Sequence, residues 1–440
     1  MHGSSDAAAP PGLLIEGAAS IATLAGGLRR GAAQADAAEL SGDSLAVAMW
    51  GDRLIAAGPR AEVQRQIEAG GRSIDDFARL DAAGGLVTPG LIDAHTHLVF
   101  AGTREAEWQM RSRGAGYLQI LKAGGGILST VAATRAASDQ DLLAGARRRL
   151  AEMLANGTTT AEAKSGYGLD IATELRMLEV IGRLDREGPV QLVPTYLGAH
   201  AVPAEFRDRP DGTEAYVADV VGEQLPAVAR QGIARFCDVF CEKGVFDDRQ
   251  SRLVLTAALE AGLLGRIHAD ELVPSGGAEL AAELGCVSAD HLAAPSEAGV
   301  AALARVAEAG RPVVATLLPA TSWFLGAHHF APARHLIDAG IPVAMATDLN
   351  PGTSPTVGLP LVMSIACVEM GLTPPEALVA VTINAAHSVG LGAELGSIEP
   401  GKQADLVVWD VPSLAQIPYW LGGRSARTVI KRGQPVFERG

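Results

Sequence analysis

Between residue 86 and about residue 390 the chain repeats one alternation. A short apolar run of six to nine residues is followed by Ala, Leu, Glu and Arg at helical spacing, as in "DQDLLAGARRRLAEMLANG" and "SRLVLTAALEAGL". Such runs are too short for helices and, bounded by Gly and Pro, predict strands. Eight are present: "LIDAHTH", "TTTAEAK", "VQLVPTYLG", "ARFCDVFC", "RIHADE", "CVSADH", "PVVATLL" and "PVAMATD". Eight strand–helix units over about 300 residues predict an α/β fold of the (β/α)8 barrel type. A doubly wound sheet is the alternative, but no G-x-G-x-x-G follows an early strand, which removes the dinucleotide crevice. The flanks are patterned differently. "SLAVAMWGDRLIAAGP" before the barrel, and "GSIEPGKQADLVVWDVPS" and "SARTVIKRGQPVFERG" after it, alternate briefly between Gly and Pro, as hairpins do. The expected organisation is a small β-sandwich domain from both chain ends, residues 1–85 and 395–440, around a barrel of residues 86–394.

The polar residues are placed with a bias. His95 and His97, Lys164, His200, His268, His291 and Asp348 all fall at or just beyond the C-terminal end of a predicted strand. That is the face on which barrel active sites assemble. In "VTPGLIDAHTHLVFAGTR" the two histidines are one residue apart, so a strand's period of two turns both rings to one side. The first and eighth strands are neighbours in a closed barrel. His95, His97 and Asp348 can therefore converge, with His268 of the fifth strand reaching across the mouth. Imidazole and carboxylate ligands suit zinc, iron or manganese, and such a set leaves a position for water. Taken singly, each histidine reads as a satisfied core residue; four ligands at the same end of three strands read as a metal centre. His2 in the tail, His328 and His329 in "SWFLGAHHFAPARH", and His387 in "TINAAHSVG" are assigned to tail, loop and helix packing.

Composition narrows the rest. Hydrophobic residues make up 48% and charged residues 20% of the 440, as in an ordinary globular protein. No run approaches the ~20 apolar residues of a membrane span, and no basic leader precedes the first apolar run. The expectation is a cytoplasmic protein. Cys237, Cys241, Cys286 and Cys367 are too few and too irregular for a disulfide framework and read as free thiols in the barrel wall. A net charge of −14 disfavours nucleic acid and anionic membrane as partners. An anionic substrate would need a local cation, which singles out Arg104.

"TPGLIDAHTHL", "TDLNPG" and "GSIEPGKQADLVVWD" resemble the metal-dependent amidohydrolases in their opening strand, closing aspartate strand and return strand. Within them "HLVFAGTR", "KSGYG", "LGAHAVP" and "DLNPGTSP" are similar to the imidazolonepropionase family of histidine degradation. The resemblance runs from about residue 84 onward. It implies hydrolysis of the cyclic amide of 4-imidazolone-5-propanoate to N-formimino-glutamate, one divalent metal per chain (zinc or iron), and a homodimer. It further implies that Asp348 moves the proton of the attacking water, with His291 as base or oxyanion stabiliser and Glu271 on the ring N–H groups or the water. Arg104 would hold the propionate, assisted by Tyr167, His200, Asn350, Gly352 and Thr353. A pair with Glu105 or Glu107 is the plainer reading of Arg104. Relatives with two metals use a bridging lysine or a glutamate after the fourth strand, where Glu242 and Lys243 fall; Lys164 is read as structural or electrostatic. The remaining alternative is another amidohydrolase of heterocyclic rings, a deaminase or cyclic amidase, which would not need Arg104.

Overall fold

The computed structural model describes residues 12–115, 119, 124–327 and 329–440; His2 and His328 lie outside them. Eight parallel strands in sequential order form the central sheet. They are β6 (Leu91–Asp93), β7 (Thr158–Lys164), β8 (Gln191–Ala199), β9 (Phe236–Cys241), β10 (Leu264–Ala269), β11 (Ser288–His291), β12 (Val314–Leu317) and β13 (Val343–Met345). Each matches one apolar run of the sequence. The short β6 and β13 meet through the segments beyond them: Thr96 bridges Leu349, His97 N–H donates to Leu349 O at 2.9 Å, and Asp348 N–H to His95 O at 3.1 Å. This seam closes the barrel and places the first and last candidate ligands side by side.

The helices between strands start where the sequence supplies caps. Ser138 and Asp141 form a capping box on the helix Asp139–Ala155, as Asp247 and Gln250 do on Asp248–Glu260. Their apolar faces, such as Leu142, Leu150 and Met153, or Val254, Leu255 and Ala258, join the main buried cluster against the barrel wall. Cys237, Cys241 and Cys286 are buried free thiols there, and Cys367 is a partly exposed one.

The flanking segments build one mixed sheet: β1 (Gly12–Ala22), β2 (Glu39–Trp50), β3 (Arg53–Pro59), β4 (Phe77–Asp81), β5 (Leu86–Pro89), β14 (Leu406–Trp409), β15 (Ala426–Lys431) and β16 (Gln434–Glu438). β5 pairs with β1 on one edge and β14 on the other, so Leu86–Pro89 belong to this sheet and the barrel strands begin at Leu91. Trp409 docks the sheet on the barrel. Its indole N–H donates to Thr88 Oγ1 at 2.8 Å, and a Cβ on Gly157, at the entry to β7, would lie 3.0 Å from the ring. Gly157 has φ +93°, which a side chain would strain as well.

Candidate active site

β6 stops at Asp93, so His95 and His97 stand on the extended segment past the strand rather than within it. Their alternation survives. The two rings are 5.4 Å apart, and the His268 ring lies 4.6 Å from His95 and 5.6 Å from His97. One nitrogen from each of the three lies within 4.8 Å of the others, and His95, His291 and Asp348 form a second such trio. Asp348 Oδ1 is 3.5 Å from Nε2 of both His95 and His97. Asp348 at φ +52° and His291 at φ +71° hold left-handed backbone, which places non-glycine side chains over the barrel mouth at a cost of about 1–3 kcal/mol each. His95 Nε2, His268 Nε2 and Asp348 Oδ1 are buried without a hydrogen-bond partner among the described residues. Buried polar atoms are nearly always partnered, and unpartnered imidazole and carboxylate atoms gathered in two overlapping trios around His95 are the donors a divalent ion requires. The residues fit a metal.

The outward-facing atoms are free because the opposite atoms are engaged. His95 Nδ1 donates to Asp290 Oδ2 at 2.7 Å, and His268 Nδ1 lies 3.0 Å from Asp238 Oδ2. A carboxylate behind a ligand histidine fixes which nitrogen carries the proton and leaves the other nitrogen's lone pair for the metal. Behind these carboxylates stand two buried cations. Lys164 Nζ is 2.9 Å from Glu162, 2.8 Å from Asp238 and 3.8 Å from Asp290. Arg266 donates to Asp290 Oδ2 at 3.0 Å and to the carbonyls of Ala94 and Ser388. Burial and the Lys164 charge push His95 well below its ordinary pKa, and burial with His200 does the same to His97, so both are neutral as ligation needs. Burial disfavours the charged forms of Asp238 and His268 alike, but each outweighs that for the other: Asp238 falls well below a normal carboxylate and His268 rises. Glu242, by contrast, accepts from Leu272 N–H and Ser275 Oγ and belongs to loop architecture.

Above the cluster opens a cavity of about 1090 Å³. Arg104, Tyr167, His200, Glu271, Asn350 and Thr353 all line it, together with His97, His268, His291 and Asp348. Burial raises Glu271 to about 8 and Asp348 to about 6. Glu271 lies 3.6 Å from His291 Nε2, and Thr321 Oγ1 donates to Asp348 Oδ2 at 2.6 Å. Arg104 does pair with Glu107, through Nε at 2.9 Å and Nη2 at 2.7 Å. Its Nη1 edge turns towards Gly352, where a Cβ would come within 1.9 Å of Nη1. Glycine at 352 is therefore a condition for Arg104 to reach the cavity. Asn350 does not offer a free amide. Its Oδ1 accepts from the N–H groups of Gly352 and Thr353, and its Nδ2 donates to Asp348 O, which braces the loop after the aspartate. His200 donates from Nδ1 to Gly166 O at 2.9 Å and stacks on His97 at 4.9 Å, with Tyr167 against both.

Several working residues were not singled out from the sequence. Asp238 in "FCDVFC" and Asp290 in "SADH" carried a usable signal, since a lone acid in the apolar strand of a closed barrel must have a partner. Arg111, which donates to Gly352 O at 2.9 Å, is two helical turns from Arg104 and so on the same face. His329 lies in a loop and His387 in the helix Ile383–Ser388, as expected.

A closed parallel barrel with three histidines and an aspartate at its C-terminal mouth defines a metal-dependent hydrolase of the amidohydrolase kind. The model of the amidohydrolase family matches residues 260–436. The imidazolonepropionase of Geobacillus kaustophilus is 52% identical over 390 residues, 88% of each chain. That of Symbiobacterium thermophilum is 47% identical over 432 residues, 98% of each chain. The chain belongs to the imidazolonepropionase family. It is accordingly an enzyme, a hydrolase of carbon–nitrogen bonds that uses a metal cofactor. Among solved structures, a 5-methylcytosine deaminase from Klebsiella pneumoniae superposes with TM-score 0.70 at 17% identity, covering 97% of this chain and 98% of its own. A zinc-bound adenosine deaminase from Xanthomonas campestris does so with TM-score 0.65 at 21% identity, covering 96% and 92%. At those identities the likeness is one of fold. No helix among the described residues is long and apolar enough to cross a membrane.

Proposed function

We propose that the enzyme opens the ring of 4-imidazolone-5-propanoate with water, giving N-formimino-L-glutamate in histidine degradation. The observation that carries this reading is one cavity holding both a candidate metal cluster and an arginine whose free edge has been cleared by Gly352. The substrate has the matching halves, a cyclic amide and a carboxylate.

His95, His97, His268 and Asp348 would hold one divalent ion, zinc or iron, His₃Asp being compatible with both. Such an ion, when bound, lowers the pKa of water and polarises a carbonyl. Arg104 binds the propionate through its Nη1 edge, with Tyr167 and His200 closing the wall around it. Water adds to the ring carbonyl carbon, and the bond from that carbon to the adjacent ring nitrogen breaks. Asp348, raised towards neutrality by burial, takes the water proton at its carboxylate and returns it to the leaving nitrogen. His291 faces the oxygen on which negative charge develops. Glu271, raised to about 8, can donate as an acid and accept as a base near neutrality, which suits it to the ring N–H groups. A cytoplasmic homodimer completes the proposal.

The test couples metal quantitation to an absorbance assay of imidazolone propionate consumption. Turnover that disappears on chelation and returns with zinc or iron is expected, with a ring lacking the propionate a poor substrate. Full activity after exhaustive chelation, or equal activity on the carboxylate-free ring, would refute it.

A further inference from the structure

The loop from Ser165 to Leu169 carries Tyr167 into the cavity, yet it has an unusual anchor. Glu174, in the first turn of the helix Ile171–Glu187, is buried and points back under this loop. Its carboxylate accepts from Gly166 N–H at 2.9 Å, from Gly168 N–H at 2.8 Å and from Leu169 N–H at 2.8 Å. Three backbone N–H groups converging on one point make a concavity of the kind that holds anions. Gly166 at φ +99° and Leu169 at φ +56° supply the left-handed turns. Here the anion is one of the chain's own side chains.

That anchor reaches two cavity residues together. Tyr167 is the residue between two of the held N–H groups, and the carbonyl of Gly166 receives the Nδ1 proton of His200. Gly168 has no room for a side chain. A Cβ there would lie 2.7 Å from Glu174 N, 2.8 Å from Thr173 Cβ and 2.9 Å from Glu174 Oε1. The loop and the carboxylate are thus fitted to each other, and neither Glu174 nor Gly168 lines the cavity.

We propose that Glu174 is a positioning residue for substrate recognition, its carboxylate setting the loop that aims Tyr167 and His200 at the carboxylate-bearing tail. This rests on the reading above, in which those two side chains wall the propionate. Glu174→Gln keeps the shape and, with the amide oxygen in the Oε1 position, turns Oε2 from an acceptor of Gly166 N–H into a donor facing it. It is expected to raise KM at least tenfold, with kcat within about twofold of wild type and one metal equivalent retained. A merely structural residue would lower the folded fraction and thermal midpoint without separating KM from kcat. Gly168→Ala, which displaces the carboxylate without removing it, is expected to give the same split and decides the matter if Glu174→Gln does not fold. KM unchanged in folded, metal-loaded Glu174→Gln or, failing that, in Gly168→Ala, overturns the proposal. His200→Ala separates the two layers. If it raises KM while the Glu174 and Gly168 variants do not, the positioning role fails alone; if none of them does, the assignment of the tail site fails.

Discussion

Replacing Lys164 by Met retains most of the stem volume but removes one positive charge from a fully buried cluster. The ammonium sits 2.9 Å from Glu162 and 2.8 Å from Asp238, all three side chains without solvent exposure. At an effective dielectric of about 20, each contact at that distance corresponds to roughly 6 kcal/mol of Coulomb energy, from which the desolvation of Lys164 must be subtracted. Breaking a buried ion pair from one side costs about 3–5 kcal/mol, because the remaining charge is left uncompensated. With an unfolding entropy of about 2.1 cal/mol/K per residue, that cost lowers the thermal midpoint of a chain this size by roughly 3–5 °C. A second effect lies at the metal. Asp238 loses the partner that orients it towards His268, and loss of such outer support weakens metal binding about 10- to 100-fold. Calorimetry on metal-free protein and competitive zinc titration measure the two effects separately. A Lys164→Met protein with an unchanged midpoint and unchanged zinc affinity would refute the reasoning.

Glu271→Gln is expected to retain the metal and lose about 10²- to 10⁴-fold in kcat, the range of a general acid–base group; near-normal turnover would exclude the role. The same variant has a pH signature in metal-free protein. The folded pKa of Glu271, about 8, lies above its unfolded value, so its contribution to stability is greatest at low pH and is lost as pH rises through 8. Urea midpoints should therefore fall less between pH 6 and pH 8.5 in Glu271→Gln than in wild type. Arg104→Ala removes a charge-assisted carboxylate contact worth about 1.5–3 kcal/mol, so KM should rise roughly 10- to 100-fold with kcat largely kept. Gly352→Ala, whose methyl collides with Arg104 Nη1, is expected to reproduce that KM effect with Arg104 still present.

The barrel was legible because its pattern is forced. A strand covered on both faces must be an apolar run, and eight such runs separated by amphipathic helices have few ways to pack. The ligands were legible for a related reason, since histidines at strand ends have one mouth to face. What stayed hidden depends on distance in sequence. The link from Glu174 to Gly166 spans eight residues, but its meaning lies in a backbone conformation that composition does not display. From the sequence Lys164 reads as structural or electrostatic without a partner, because Asp238 is on a different strand and only the register of the closed barrel joins them. Past Asp93 the β7 side is held through a side chain and not by a regular ladder: Thr96 N–H donates to the Glu162 carboxylate and its hydroxyl to the Glu162 carbonyl, leaving the histidines on non-strand backbone.

The pairing of β5 with β14 has a bearing on how the protein is made. β1 covers one edge of β5 early, through Ile21 opposite Val87, but on the other edge Val87 and Thr88 find their partners in Val408 and Val407. The entire barrel must leave the ribosome between the two, an interval of tens of seconds at about 5–20 residues per second. Through that interval the nascent chain carries an apolar strand edge with nothing zipped to it, open to any passing strand. Residues near 406 thus act as the last stitch of biosynthesis, and a ribosome that stalls before them leaves a finished catalytic barrel attached to an unfinished, sticky hem.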